Sequence, residues 1–411
     1  MRVKFFTLGC KVNQYETQAL MEEFVESGHE ITKGIADLYI INTCTVTSRA
    51  DTKSKEAIVK AKKENPKARI VACGCLIQLN KDAVEHLGVD YIIPQDKKAN
   101  LTDIVLDRKI SDKDIWSLGI SSFFNSRAFI KIQDGCDNFC SFCKIPHARG
   151  PSRSRSKNEV IDEVIRVSKK HREIVLCGIN LGLYGRDLKK PCSLDDLLAE
   201  ILDIKALGRL RLSSLEPNMI SQKLISFLSH PKLCPHLHLP FQSGDDKVLA
   251  RMNKKETVQI YEDIVWAARK VDPDVAISCD IMVGFPDEGE KAFANSVEFL
   301  KRIKPMRMHI FSFSPRENTL FFRTKVKDQR TTRIRYDVLR NLHDEFSFEY
   351  KKKFLNRTTS VVTEERENGF VCGYSENYIK VYLKEEVSLG EMMPVKIQRV
   401  NKNRVFAKQI R

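Results

Sequence analysis

Three short β-rich runs near the amino terminus each lead straight to a cysteine. Val3 to Leu8 runs to Cys10 in LGC, Asp37 to Asn42 to Cys44 in NTCT, and Arg69 to Ala72 to Cys73 or Cys75 in ACGC. Amphipathic stretches separate them, from Glu16 to Ser27 and from Asp51 to about Lys63, with Asn65 and Pro66 as a stop. Alternation of this kind predicts a parallel α/β sheet. In open parallel sheets the functional crevice lies outside the carboxyl ends of the strands. Cysteines from distant parts of the sequence are therefore expected to meet in a three-thiolate site.

The start, MRVKFFTLGCKVNQYE, has no long apolar run, and no later segment reaches the roughly 20 uninterrupted apolar residues of a membrane span. The expectation is a soluble, cytoplasmic protein without membrane contact. Thiols stay reduced there, so the twelve cysteines point to metal binding or catalysis and away from a disulfide framework. The strongest local pattern is DGCDNFCSFCKIP, which sets Cys136, Cys140 and Cys143 in a CxxxCxxC array directly after a strand. Three thiolates can hold three irons of a [4Fe–4S] cubane and leave the fourth iron open. An open position is what a reactive metal centre needs, as catalytic zinc sites illustrate. The competing reading is a zinc site, for which only His147 offers itself as a fourth ligand.

At 411 residues the chain has room for two or three domains. A weakly periodic stretch from about Ser111 to Asn125 marks a boundary. Beyond it come six strand candidates, AFIKIQD, EIVLCGI, LRLSSLE, HLHLPFQ, VAISCDIMVGF and RMHIFSF. Helical segments such as Lys157 to Lys170, Leu194 to Ile204 and Thr257 to Lys270 separate them. Six βα units fall short of the eight of a complete barrel, so an open partial barrel is expected, with its site at the carboxyl ends of the strands. From about Lys351 five β runs without long helices, TTSVVTEE, GFVCGYS, YIKVYL, MPVKIQRV and RVFAKQI, suggest a small antiparallel barrel. The expected division is thus 1–120, 121–350 and 351–411. Lys380, Lys384, Lys396, Arg399, Lys402, Arg404 and Lys408 ride on the last unit with Tyr374, Tyr378 and Tyr382 nearby, a combination suited to RNA. The net charge of +15 favours a polyanionic partner, although ordinary surface lysines would give the same composition.

The CxxxCxxC array, its position and Phe142 before the third cysteine resemble the signature of the radical S-adenosylmethionine (SAM) superfamily. The resemblance implies that the open iron binds SAM, whose reductive cleavage yields a deoxyadenosyl radical able to abstract hydrogen from an unactivated C–H bond. It narrows through LGCKVNQ, INTCTVT and CGCLIQ, which look like the amino-terminal domain of the methylthiotransferases. RAFIKIQDGC, IPHARGPSRSRS, SSLEP, LPFQSGDDKVLARMN and DIMVGFP extend it over essentially the whole chain, and the last unit resembles a TRAM RNA-binding domain. By that resemblance Cys10, Cys44 and Cys75 hold a second [4Fe–4S] cluster that delivers sulfur, and Cys136, Cys140 and Cys143 hold the catalytic one. Cys75 is chosen over Cys73 because it follows a glycine and precedes a nearby glutamine, and Cys73 continues the strand. The resemblance further implies a tRNA substrate, an electron donor such as flavodoxin or ferredoxin, and a monomer.

Candidates for SAM contact lie at the strand ends: Asn180 in CGIN, Ser214 and Glu216 in SSLEP, and Gln242 in PFQSG, with Phe142 against the adenine. Turn and cap duty competes for Asn180 and Ser214. Arg149, Arg153 and Arg155 form a basic loop beside the array, suited to phosphate or a substrate carboxylate. Lys11 and Asn13 follow a cluster ligand and are expected to face the bound base. Cys177, Cys192, Cys234, Cys279 and Cys372 are isolated and expected in the core or on the surface. Two departures from the family pattern fall away from the ligands: Asn318 stands at a glycine place in SPRENT, where asparagine tolerates positive φ, and Asp245 stands where serine is common. LGCKVNQYETQ resembles the branch acting on N6-threonylcarbamoyladenosine at position 37 of tRNA. The isopentenyladenosine branch tends towards GCQMN, and the branch acting on a ribosomal-protein aspartate towards GCPKN. From a different class, a non-catalytic RNA-binding zinc protein is the competing expectation.

Overall fold

A computed structural model describes residues 1–110, 112–324, 328–384 and 386–410. Ser111, where the sequence sets the start of the boundary stretch, lies outside them. Strands β1 (Arg2–Thr7), β2 (Glu30–Ile31), β3 (Leu38–Thr43), β4 (Arg69–Gly74) and β5 (Tyr91–Ile93) form one parallel sheet in the order β2-β1-β3-β4-β5. All six residues of β3 are buried, as a strand covered by helices on both faces requires. The helix Ser48–Glu64 starts three residues before the amphipathic pattern because Thr47 caps it, accepting from Ala50 N at 3.2 Å. The helix Lys11–Glu26 starts five residues before the expected Glu16. Its first turns bury polar Asn13, Glu16 and Thr17, so no apolar stripe announced them.

The central unit comprises β6 (Arg127–Lys131), β7 (Gln133–Asp134), β8 (Arg153–Ser154), β9 (Glu173–Cys177), β10 (Arg209–Leu212), β11 (His236–Gln242), β12 (Ala276–Val283) and β13 (Arg307–Ser312). Parallel sheets β6-β9-β10 and β11-β12-β13 meet through the parallel bridges Leu210↔Leu233 and Ser214↔His238. The result is the expected six-stranded partial barrel, with β6 and β13 at its free edges. The short antiparallel pair β7–β8 frames the CxxxCxxC loop.

After the helix Gln329–Lys352, strands β14 (Thr358–Glu367), β15 (Phe370–Ser375), β16 (Lys380–Leu383), β17 (Met392–Val400) and β18 (Val405–Gln409) close a small barrel. Four of the five pairings round the expected small antiparallel barrel are antiparallel, and β16 and β18 pair in parallel. Strand direction cannot alternate all the way round a closed ring of five, so one parallel pair is obligatory.

This small barrel seals the amino-terminal rim of the large one. Glu173, at the start of β9, is fully buried and accepts from Arg209 Nε at 2.6 Å and Arg211 Nε at 2.7 Å, with Arg127 Nη1 at 3.6 Å. Burial pushes its carboxyl up, but Arg209, Arg211 and Arg127 outweigh burial and hold it far below the usual carboxylate range. The arginines then reach across: Arg209 donates to the carbonyls of Ser360 and Tyr374, and Arg211 to those of Ser375 and Glu376. Arg127 lies 4.7 Å from the Tyr374 ring, and His236 packs 4.7 Å from Tyr378. Tyr374 and Tyr378, expected as base-stacking platforms, are therefore spent in this joint. Removing one member of a buried ionic group costs about 3–5 kcal/mol. The variant Glu173→Ala is expected to lose stability on that scale in urea denaturation and to release the carboxyl-terminal unit in limited proteolysis; a change below about 1 kcal/mol would contradict the assignment.

Candidate active site

Gly135 opens the CxxxCxxC loop at φ +71°, and a Cβ there would sit 1.9 Å from the Pro151 carbonyl oxygen, so only glycine fits. The loop is pinned at several points. Cys136 N donates to Gly150 O at 3.1 Å and Cys143 N to Cys140 O at 2.9 Å. Ser141 bonds through N to Met252 O at 3.0 Å and through Oγ to Arg251 O at 2.9 Å. Cys136, Cys140 and Cys143 thus gather at the carboxyl ends of the barrel strands. Burial pushes the Cys140 thiol up to about 12 and that of Cys143 to about 11, and Cys136 is raised for the same reason.

The second triad is built from the ends of β1, β3 and β4. Gly9, at φ +95°, brings its backbone so close to Cys44 that a Cβ would meet Sγ at 2.7 Å; Gly74, at φ +100°, lies as tightly against the Thr43 carbonyl, at 2.6 Å. Asn13 ties two of the strand ends together, donating from Nδ2 to Leu8 O at 2.7 Å and Thr43 O at 3.0 Å. Cys75 heads the helix Cys75–Leu79 directly after β4, while Cys73 lies inside the strand opposite Asn42 and packs in the core. Burial drives Cys44 to about 12 and raises Cys75, against the opposing influence of Arg149 and Lys98 on the latter.

Between the triads lies a charge group that no motif announced. Glu16, buried in the first helix, accepts from Lys98 at 2.7 Å, Lys131 at 2.8 Å and Arg149 at 2.9 Å. Asp134 on β7 takes Lys131 at 2.7 Å and Arg149 at 3.0 Å. Burial works against ionisation of Glu16, but Arg149, Lys131 and Lys98 prevail and hold it well below the usual carboxylate range. Three cations face two carboxylates, and Arg149 and Lys98 of this group oppose the rise that burial imposes on the Cys75 thiol.

This group revises three expectations. Arg149, placed by sequence in a substrate-binding loop, is 0% exposed and bonded to Glu16, Asp134 and the Asn13 Oδ1, so it faces no substrate. Asn13 is likewise consumed in positioning the triad. Arg155 is buried against Glu163 at 2.5 Å and Tyr15 Oη at 3.1 Å. A basic run looks solvated in sequence because its acidic partners lie far away along the chain. The one available signal was Lys131 and Asp134, charges set in an otherwise apolar strand region. Lys11 and Arg153 are only half-buried, and Arg153 Nη2 donates to Arg149 O at 3.4 Å.

The strand-end candidates divide. Asn180 donates from Nδ2 to Cys136 Sγ at 3.9 Å, and its buried Oδ1 has no hydrogen-bond partner among the described residues. Gln242, at φ +67°, leaves Oε1 equally unpartnered, and so does the neighbouring Ser213 Oγ, which sequence reasoning passed over for Ser214. Ser214 continues the barrel ladder to His238. Glu216 is held in an ion pair by Lys254, itself near Glu256. Phe142 packs edge-on to Phe285, with centroids 6.5 Å apart. Unpartnered buried acceptors beside a thiol triad fit a ligand that offers metal to sulfur and N–H or O–H donors to the acceptors. Two joints hold this rim: the Glu16 group, and Arg316, which bonds Thr45 O at 2.9 Å, Ser48 Oγ at 2.9 Å and Asp51 at 2.5 Å just beyond Cys44. Asn318 takes φ +63°, as expected of the residue at a glycine place, and Asp245 caps the helix Asp246–Arg251.

Residues 130–300 match the model of the radical SAM superfamily, and residues 2–93 that of an uncharacterized protein family, UPF0004. Fold and array together define a radical SAM enzyme. A solved structure of the radical SAM methyltransferase TsrM from Kitasatospora setae shares the fold, with a TM-score of 0.55 at 14% identity over 76% of this chain and 72% of that one. The chain is 37% identical to the threonylcarbamoyladenosine tRNA methylthiotransferase MtaB of Bacillus subtilis, covering 96% of this chain and 93% of that one. It is 31% identical to the tRNA-2-methylthio-N(6)-dimethylallyladenosine synthase of Fervidobacterium nodosum, over 98% and 97%. The chain belongs to the threonylcarbamoyladenosine tRNA methylthiotransferase family.

Iron binds thiolate, so each raised thiol must release a proton when a cluster is loaded. Reconstitution with iron and sulfide is therefore expected to go further at about pH 8.5 than at about pH 7. Iron and sulfide analysis after desalting checks this, and equal loading at both would show that these thiols ionise freely.

Proposed function

We propose that this enzyme adds a methylthio group to C2 of N6-threonylcarbamoyladenosine at position 37 of tRNA. The observation that carries this reading is the pair of thiol triads held at one seam by Glu16, Asp134 and Arg149. In this reading Cys136, Cys140 and Cys143 hold one [4Fe–4S] cluster, and Cys10, Cys44 and Cys75 hold the other. When bound, the clusters and SAM supply the hydrogen-abstracting radical, the sulfur and the methyl group. The protein contributes positions: Asn180, Ser213 and Gln242 offer acceptors to SAM, and the excess charge of the Glu16 group steadies the anionic sulfur ligands.

The threonylcarbamoyl group brings a carboxylate. With Arg149 and Arg155 already paired, Lys11 and Arg153 are the cations of that region left to meet it. A half-buried β-barrel face, with Arg399 at 4.4 Å over Phe406 and Arg404 at 5.0 Å over Tyr382, supports RNA contact; Lys384, Lys396, Lys402 and Lys408 are exposed around it. A low-potential electron carrier such as flavodoxin or ferredoxin, a monomeric state and a cytoplasmic location complete the proposal. No helix among the described residues is long and apolar enough to cross a membrane.

Mass spectrometry of digested tRNA after reaction tests the substrate. Product is expected from threonylcarbamoyl-modified tRNA and, because a hydrogen-bonding site rejects an analogue lacking its partners by on the order of 10⁴-fold, almost none from isopentenyl-modified tRNA. Comparable product from both would overturn the substrate assignment. The variant Lys396→Glu/Arg399→Glu/Lys408→Glu tests the RNA face while sparing the Glu173 joint. Its tRNA affinity should fall, and its salt dependence should flatten by about one unit of slope for each phosphate no longer neutralised. Unchanged affinity and slope would place the RNA elsewhere.

A further inference from the structure

Away from both thiol triads, three metal-binding side chains converge inside the partial barrel. His238 on β11, Asp280 on β12 and His309 on β13 bring their ligating atoms within 4.8 Å of one another. His238 Nε2 lies 3.2 Å from Asp280 Oδ2, and His309 Nδ1 lies 3.2 Å from Asp280 Oδ1. Imidazole and carboxylate ligands sit about 2.0–2.2 Å from zinc, so two ligands of one ion lie roughly 3.0–3.5 Å apart. The two histidine–carboxylate spacings fall in that range, each to a different oxygen of Asp280, and the set as a whole lies within 4.8 Å, so an ion would draw the ligands together by a side-chain adjustment.

The spacing is set by the sheet. Ser278 is the ladder partner of His238, and Asp280 of His309, so the three groups stand on adjacent parallel strands and not on loops. The supporting shell is also in place. His238 Nδ1 bonds Ser278 Oγ at 2.9 Å, and the same oxygen meets His236 Nε2 at 2.8 Å. A tautomer that donates from Nδ1 to serine leaves the Nε2 lone pair facing Asp280, which is how the second nitrogen of a metal-bound histidine is usually employed. Among the described residues, the only ion-pair partners of Asp280 are these two imidazoles; no lysine or arginine neutralises it. A divalent cation bound among the three would compensate the carboxylate charge directly. β13 is an edge strand and the His309 side chain is 50% exposed, so the site opens sideways to solvent.

We propose that His238, Asp280 and His309 bind a divalent transition-metal ion of the zinc class at the open edge of the barrel. Three protein ligands leave a coordination position for water or for an anionic substrate oxygen. The inference rests on strand geometry and is independent of the substrate assigned above.

The test uses the full chain with both iron–sulfur clusters loaded, so that the thiols are already occupied. Chelator-treated protein is dialysed anaerobically against Zn²⁺ and bound metal is read by elemental analysis. About one saturable zinc per chain is expected beyond the iron. Asp280→Asn and His309→Ala should each lose it with iron and sulfide content unchanged, and Ser278→Ala should bind on the order of 10–100-fold more weakly. Because His309 is half exposed, its variant keeps the test meaningful even if Asp280→Asn folds poorly. No saturable zinc in the wild-type protein, or equal zinc in both ligand variants, would overturn the proposal.

Discussion

Glu16 and Asp134 lie out of reach of water with Lys98, Lys131 and Arg149, and the five side chains come from four separate segments of the chain, Lys131 and Asp134 sharing one. Each ion alone would cost several kcal/mol to bury, and Glu16 meets Lys131 and Arg149 only where the amino-terminal sheet packs on the barrel. Lys98 pairs with Glu16 inside the amino-terminal unit and Asp134 with Lys131 and Arg149 inside the barrel unit, and this placement joins the two groups across the seam that the thiol triads flank. Asn13 carries the constraint onward, bonding Arg149 on one side and the ends of β1 and β3 on the other. The geometry of the site thus follows from an electrostatic condition met away from the sulfur atoms.

The opposite rim of the barrel repeats the device. Glu173 gathers Arg127, Arg209 and Arg211, as Glu16 gathers Lys98, Lys131 and Arg149, and through those arginines the carboxyl-terminal barrel is attached. At each joint a buried carboxylate, Glu16 or Glu173, gathers three cations, with Asp134 and the Arg316 contacts added on the amino-terminal side. The two rims divide the work. The carboxyl-terminal rim carries thiols and unpartnered acceptors, and the amino-terminal rim is closed by packing and charge. Several of the cations behind the basic composition are interior, so net charge overstates what the surface offers to RNA.

Much of the fold was legible because its elements announce themselves locally. The six barrel strands alternate with amphipathic helices, and the five closing strands read as β runs between polar turns. Cys73 was expected to continue its strand, and it does so paired to Asn42, while Cys75 heads a helix. The failures share a physical origin. Arg149, Arg155, Tyr374 and Tyr378 were read as available because their chemistry suits RNA or an anion. Whether such a group is free depends on partners such as Glu16, Glu163 and Arg127, distant in sequence. Polar burial in the first turns of the helix Lys11–Glu26 hid its start for the same reason.

By itself the sequence determined the strand-to-cysteine pattern, the CxxxCxxC array and the order of the three units, because periodicity, turn residues and ligand spacing act over a few residues. Only the tertiary structure decided which cations are consumed inside, which acceptors at the strand ends stay unpartnered, and that His238, Asp280 and His309 meet across three strands. Those outcomes depend on charge compensation and register between segments far apart in the chain. Both are settled only when the units pack together.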